Sequence, residues 1–137
     1  MINIIITSDP RYSINRTVIY TAIVNVLRRE HVLGNVELEV SIAGNRKMHE
    51  LNKKYCGLDY PADILTFALE DPHPQNLQLL PRMGFIAAPD KILRLGSICI
   101  SYSQAVEDAS LEGISVEDEI IFLVEYGTNH LLGIHHG

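Results

Sequence analysis

The 137-residue sequence contains no tryptophan, two cysteines and no long apolar run. Two cysteines, Cys56 and Cys99, are too few for the disulfide framework of a small secreted domain, so each is expected to be a free thiol that packs as a small apolar side chain. No apolar stretch approaches the roughly 20 residues that a transmembrane helix requires. These shortages argue against a disulfide-stapled scaffold and against a membrane protein.

The first ten residues, MINIIITSDP, also lack the marks of an export signal. They contain no basic segment before the apolar run and no small-residue cleavage site. Their β-branched run, followed by a proline, instead predicts a first strand. The sequence therefore predicts a cytoplasmic protein with a single domain over residues 1–137, a length at which about two-thirds of the unfolded surface can be buried.

Lysine and arginine are absent after Arg94, although seven acidic residues follow it, the last of them Glu125. The net charge of −6 argues against a protein that coats nucleic acid by charge alone, and no DNA partner is expected. An RNA partner would be bound by the first two-thirds of the chain, where the candidate residues are Arg46, Lys47, Lys53 and Lys54. A solvated charge pattern without a partner is the alternative interpretation.

Short strand patterns alternate with helical ones along the chain. Strands are predicted at residues 2–7, 36–44, 63–69 and 95–101, and helices from Ser13 to about His31, from Asn45 to Gly57, at 102–110 and from Ser115 to Gly133. Ser13, Asn45 and Ser115 are the predicted N-caps. The connection at 70–94 contains four prolines and is predicted to be a long loop or lid with at most a partial helix. The pattern indicates an α+β domain with a mixed sheet of about four strands.

The last predicted helix is rich in apolar residues and is expected to be largely buried. These residues are Ile120, Ile121, Phe122, Leu123, Val124, Leu131 and Leu132. Three acids, Glu117, Asp118 and Glu119, occupy the first turn, where the helix macrodipole favours negative charge.

The end of this helix has the spacing of a metal-binding motif. In the stretch YGTNHLLGIHHG, Tyr126 and His130 are four residues apart and share a helical face, while Gly133 lets the chain turn so that His136 folds back toward it. Metzincin proteases place three zinc histidines at this spacing, which leaves a fourth position for water. The sequence therefore predicts a metal site near His130.

Residue identities weaken this metal prediction. The first ligand position holds Tyr126, and two histidines alone rarely bind zinc firmly, so its phenolate or His135 would have to substitute. Gly127 stands where a protease has its catalytic glutamate, which argues against a peptidase. An ordinary helix that ends in a frayed polar tail remains the alternative.

Three segments resemble the YbeY-type rRNA maturation factors, a family of zinc-dependent endoribonucleases. YGTNHLLGIHH is similar to the family signature H-G-x-L-H-L-x-G-x-D-H. LNKKYCGLDYPADILTFAL resembles L-N-x-x-Y-R-x-x-D-x-P-T-D-V-L-S-F-P, and LGSICIS resembles L-G-D-I-x-I-S. The segments occur in the family's order, so the resemblance extends from about Val36 to the end of the chain.

The resemblance implies an endoribonuclease that acts on single-stranded RNA in rRNA maturation and ribosome quality control, with ribosomal RNA or ribosome components as partners. It implies one zinc ion, with His130 and His136 at the second and third ligand positions and Tyr126 at the first. His130 would thereby serve catalysis, and Cys56 occupies the catalytic position of an arginine. A bound zinc lowers the pKa of water and polarises a phosphoryl oxygen. Further substitutions at polar family positions are Ala62, Ser97, Phe122 and His135.

Three hypotheses remain open at this point. The chain is an active or partly active metal-dependent endoribonuclease, or it is a degenerate relative that keeps the fold as a ribosome-assembly binding module without zinc. The third, for which the sequence offers little support, is an unrelated hydrolase that uses the Cys56 thiol with a histidine.

Overall fold

The structure is a computed structural model that describes residues 1–32, 34–69 and 92–134. Its elements in chain order are β1 (Ile2–Ser8), α1 (Arg16–Arg29), β2 (Asn35–Ala43), α2 (Asn45–Cys56), β3 (Ile64–Ala68), β4 (Ile92–Ser101), α3 (Tyr102–Glu112) and α4 (Val116–Leu131). They form one α+β domain, as the sequence predicts. Most of the segment predicted to be a long loop lies outside the described residues.

The four strands form one mixed sheet in the order β1-β2-β4-β3. The pairs β1–β2 and β2–β4 are parallel, whereas β3 runs antiparallel to β4. In β2 the residues Val36, Leu38, Val40 and Ile42 are buried and alternate with polar ones, because successive side chains of a strand point to opposite faces. The sheet therefore has one apolar face and one mainly polar face.

The apolar face carries the core, which α1 and α4 complete together with side chains from β2 and β4. The helix α2 lies against the other face. There, Lys47 and Leu51 of α2 line a cavity with Ser41 of β2 and Cys99 of β4. The helices α2, which carries Cys56 and the candidate RNA-binding residues, and α4, which carries Tyr126 and His130, thus pack against opposite faces of the sheet.

Two of the predicted N-caps are wrong. The first helix begins at Arg16, because Asn15 rather than Ser13 accepts the backbone N–H of Val18, at 3.2 Å. The N-cap of the second helix is Gly44, which has no side chain to accept a backbone N–H. The predicted cap Asn45 instead accepts a hydrogen bond from the Ser101 hydroxyl at 2.6 Å, so its side chain joins the helix to the end of β4.

Strand β4 begins at Ile92, three residues before the predicted start. The register with β2 shifts between Glu37 and Leu38, opposite Gly96, whose φ of 135° is a conformation that favours glycine. A Cβ at Gly96 would lie 2.1 Å from the carbonyl oxygen of Phe67 in β3. The glycine therefore permits β3 and β4 to approach closely at this irregularity.

The long helix α4 begins as predicted, with the Ser115 hydroxyl accepting the backbone N–H of Asp118 at 3.0 Å. Its buried stripe includes Ile120, Leu123, Val124 and Leu131. The prediction that Phe122 is buried is wrong, since this residue lies off the stripe and is 57% exposed. Within the described ranges, no helix combines the length and the apolar composition needed to cross a membrane.

Candidate functional site

The solvent face of α4 carries three rings at four-residue intervals. Phe122 and Tyr126 have ring centroids 6.5 Å apart with an interplanar angle of 29°, and Tyr126 and His130 are 6.2 Å and 19° apart. All three side chains are exposed. The structure thus places Tyr126 and His130 on a shared face, as their spacing predicts.

Gly127 fixes the distance between this helix and the sheet. A Cβ there would lie 3.0 Å from Ile98 Cγ2 and 3.1 Å from Ile64 Cδ1, which is tighter than an ordinary van der Waals contact. The backbone of α4 therefore rests directly on β3 and β4. Tyr126, the residue before Gly127, is thereby held at a defined position on the solvent face of the helix.

The described part of the chain supplies few metal donors. Among residues 1–32, 34–69 and 92–134, no three His, Cys, Asp or Glu side chains are arranged to hold a metal ion. The helix offers the His130 imidazole and the Tyr126 phenol, whereas the predicted ligands His135 and His136 lie outside the described residues. This donor pair is smaller than the three protein ligands of a catalytic zinc site, so the described residues do not by themselves fit zinc.

Both cysteines are free thiols, as predicted, but the prediction that Cys56 packs as a small apolar side chain is wrong. Cys56 is exposed at the end of α2 and lines a groove of about 600 Å³ with Asp63, Gln104 and Asp108. None of the described residues that line this groove is a histidine or comes from α4. Among the described residues, His130 therefore does not line the groove that contains Cys56.

The four candidate RNA-binding residues all lie on α2, but their charges differ in availability. Arg46 is 3.9 Å from a carboxylate oxygen of Glu50, and Lys53 is 4.0 Å from one of Asp59. A hydrogen bond from His49, followed by the charge of Lys53, lowers the pKa of Asp59. Within the described residues, neither Lys47 nor Lys54 has a carboxylate at ion-pair distance. Lys47 and Lys54 are therefore the two lysines of the helix without an ion pair in the described part of the chain.

A buried acid on α4 is a feature that the sequence reasoning missed. Glu119 is 3% exposed, and its Oε1 atom has no hydrogen-bond partner among the described residues. Burial, then the neighbouring carboxyl of Glu112 and the charges of Asp108 and Asp63, raise the pKa of Glu119 to about 7. Its position was detectable, because Glu119 is four residues before Leu123 on the buried stripe.

Sequence comparison identifies the family. A sequence model described as "Endoribonuclease YbeY" matches residues 7–137, which is nearly the whole chain. The chain belongs to the YbeY family. The family resemblance of the three sequence segments is thereby confirmed, and the match includes α2, β4 and the ring-bearing helix α4.

Two YbeY relatives illustrate the degree of similarity. The Endoribonuclease YbeY of Roseiflexus castenholzii is 36% identical over 129 residues, which cover 93% of this chain and 75% of the relative. That of Dehalococcoides mccartyi is 41% identical over 102 residues, which cover 74% of this chain and 58% of the relative. The chain thus spans three quarters or less of the length of these YbeY proteins.

A solved structure has the same fold. The solution structure of TM1509 from Thermotoga maritima aligns with a TM-score of 0.58 and 21% sequence identity, and the alignment covers 98% of this chain and 75% of that one. At this identity the similarity supports the α+β fold of the YbeY chain and nothing about its chemistry.

Proposed function

We propose that this protein is an endoribonuclease that cleaves single-stranded RNA during rRNA maturation and contributes to ribosome quality control. The observation that carries the proposal is the family match, because it runs through residue 137 and so includes the motif with His130 and His136. The relatives that match this chain are themselves named Endoribonuclease YbeY. The proposal includes a cytoplasmic location, one domain over residues 1–137 and ribosomal RNA or ribosome components as partners.

RNA is proposed to approach the molecule from the side of α2. Arg46, Lys47, Lys53 and Lys54 lie there, and phosphates are the groups that lysine and arginine contact most often in nucleic acid. Lys47 and Lys54 carry the larger share because neither has a carboxylate partner within the described residues. Exposed acids at the end of α3 and in the first turn of α4, Glu112 and Glu117, repel phosphate, whereas His130 lies in the last turn of α4.

Zinc dependence is the part of this proposal that most needs a direct measurement. His130 and His136 are the proposed imidazole ligands, with Tyr126 or His135 as the third. Tyr126 and His130 share a face of α4, with ring centroids 6.2 Å apart, which is compatible with a common ion.

A binding module without cleavage is the second candidate function. The favouring observation is that the first ligand position holds Tyr126, whose ring packs between Phe122 and His130 as a continuous aromatic surface. In this case the protein would contact ribosomal RNA or a ribosomal protein and leave the RNA intact.

Metal content and RNA cleavage, measured together, separate the two functions. The wild type and the Tyr126→His variant are dialysed, analysed for bound zinc and incubated with an end-labelled single-stranded rRNA fragment. The proposed enzyme retains about one zinc per chain, and Tyr126→His raises both zinc retention and the cleavage rate. Tyr20→His on α1 is the matched control, because Tyr20 is also an exposed helical tyrosine.

The opposite result is equally clear. If the wild type retains no zinc and neither the wild type nor Tyr126→His cleaves RNA with zinc added, the endoribonuclease proposal is wrong for this chain. RNA binding without cleavage in that experiment would support the binding module. A double variant, Tyr126→His with Cys56→Arg, then tests whether restoring both family residues creates activity.

A further inference from the structure

Tyr55 is an exposed aromatic residue whose ring is held in place by its neighbours. It lies on the last turn of α2 and is 57% exposed. Its ring meets Phe67 of β3 edge-on, with centroids 5.2 Å apart and an interplanar angle of 68°. Because a second ring supports it, the Tyr55 side chain presents a flat surface to solvent at little further cost in side-chain entropy.

A positive charge lies next to this ring. The Lys54 Nζ atom is 5.1 Å from the centroid of the Tyr55 ring, within the range of a cation–π contact. Lys47 is seven residues earlier, or about two helical turns and roughly 10 Å along the same side of α2. As shown above, neither lysine has a carboxylate partner among the described residues.

This combination is the chemistry that binds single-stranded nucleic acid. Aromatic rings stack on bases, and neighbouring lysines contact the phosphates that link them. Glu50 and Asp59 lie at ion-pair distance from Arg46 and Lys53, whereas no described carboxylate lies at that distance from the two lysines on the side of α2 that carries Tyr55. An anionic chain with flat apolar groups complements that side in both charge and shape.

We propose that Tyr55, supported by Phe67 and flanked by Lys54 and Lys47, is a nucleobase-stacking site for single-stranded RNA. This inference rests on the proposed function, since it assumes that RNA is the ligand. It goes further by assigning the base contact to Tyr55, which lies against Phe67 on the face of the sheet opposite to α4. Stacking tolerates any base, so the site confers affinity for single strands without strong sequence preference.

The lack of tryptophan in this chain makes a direct test simple. The Tyr55→Trp variant contains a single tryptophan at the proposed site, and Tyr20→Trp places one at a matched position on α1, where the native tyrosine is 42% exposed. Each is titrated with a 12-nucleotide oligouridylate, 2′-O-methylated to prevent cleavage. We expect strong fluorescence quenching in Tyr55→Trp and several-fold less in Tyr20→Trp.

Affinity measurements supply the second readout. Tyr55→Ala is expected to weaken oligouridylate binding about tenfold, because the variant loses the ring on which a base stacks. Tyr55→Phe should bind within about twofold of the wild type, because phenylalanine keeps the ring and the contact with Phe67. An abasic oligonucleotide of the same length should bind equally weakly to the wild type and to Tyr55→Ala.

The outcomes distinguish this inference from the proposed function. Binding by the wild type that Tyr55→Ala does not weaken, with no quenching in Tyr55→Trp, overturns the stacking site and leaves the RNA function standing. Equal affinity for the abasic oligonucleotide or for polyglutamate shows a site for anions alone and also overturns it. No binding of any oligonucleotide by the wild type contradicts both proposals.

Discussion

At the scale of single residues, the Glu119 carboxylate is favoured by its position in a helix and disfavoured by its burial in the fold. In the first turn of α4 its charge is favoured by the macrodipole. The same position faces the interior, where Asp63, Asp108 and Glu112 are its charged neighbours. Burial among acids dominates, because water that would screen the charge is excluded.

Replacing Glu119 is therefore expected to change how stability depends on pH. The folded-state pKa of Glu119, about 7, is above the ordinary glutamate value of 4.5, so the folded chain binds more protons than the unfolded chain between these pH values. Stability is then lost as the pH rises through this window. Glu119→Gln should stabilise the fold by roughly 1–2 kcal/mol at pH 8 and by much less at pH 5, measured by urea unfolding.

Glu117→Gln provides the control on the same helical turn, because Glu117 is exposed. Its effect on the free energy of unfolding should be nearly constant from pH 5 to pH 8. A Glu119→Gln effect that is equally constant over this range would contradict the assigned cause.

Cys56 provides a second prediction for a single residue. Its groove contains no histidine among the described lining residues, so a thiol nucleophile would lack a base of the usual kind. Cys56→Ala is expected to keep the RNA cleavage rate of the wild type within about threefold, measured on the end-labelled fragment. A loss of a hundredfold or more would restore the thiol hydrolase hypothesis.

At the scale of helices and strands, prediction from the sequence succeeded where a pattern was local. Ser115 was correctly predicted as a cap because its hydroxyl and the Asp118 N–H that donates to it are three residues apart. Asn45 was not, because its side chain bonds to Ser101, which is 56 residues away in sequence. Such a long-range partner leaves no mark in the local pattern that predicts helix ends.

The irregularity of β4 depends on Gly96, and its removal should be costly. Gly96→Ala places a Cβ against the carbonyl oxygen of Phe67, in backbone that cannot yield as a flexible side chain would. We expect a loss of more than about 3 kcal/mol in the free energy of unfolding, measured in urea. Gly113→Ala is the matched control, since Gly113 has a φ of 73° but nothing within 4 Å of its Cβ position.

The control variant should lose about 1 kcal/mol, the cost of a left-handed conformation alone. If Gly96→Ala loses no more than Gly113→Ala, the close approach of β3 and β4 is not what requires the glycine.

At the scale of the whole molecule, the distribution of charged residues along the chain is visible in the sequence alone. The net charge of −6 conceals a positive side on α2 and an acidic side on α3 and α4. What the sequence could not show is which cations are already paired. That depends on contacts with Glu50 and Asp59 in the folded chain.

Salt dependence of RNA affinity should report these free charges. If Lys47 and Lys54 each meet one phosphate, the logarithm of affinity should fall with the logarithm of salt concentration with a slope of about −1.4. Lys54→Ala should reduce this slope by about 0.7, whereas Lys53→Ala should change it much less. Equal effects of the two variants would show that ion pairing within α2 does not control its availability to RNA.

The candidate site was predicted only in the part that depends on a local sequence pattern. The spacing of Tyr126 and His130 is local to one helix, and the structure brings them together as the helical repeat requires. The contact of Tyr55 with Phe67 joins α2 to β3, so it depends on the packed sheet. The identities of Tyr55 and Phe67 in the sequence do not show that the Tyr55 ring is supported by a second ring.

The register of the sheet also determines when this domain can form during synthesis. Strand β2 pairs with β4 along its whole length, from Asn35 opposite Ile92 to Ala43 opposite Ser101. Of the two strands that pair with β2, β4 is therefore synthesised more than fifty residues later, after α2 and β3. Contacts between distant parts of a chain slow folding, because a long loop must close before they form. A ribosome adding about 5–20 residues per second would expose β2, without its central partner, for several seconds.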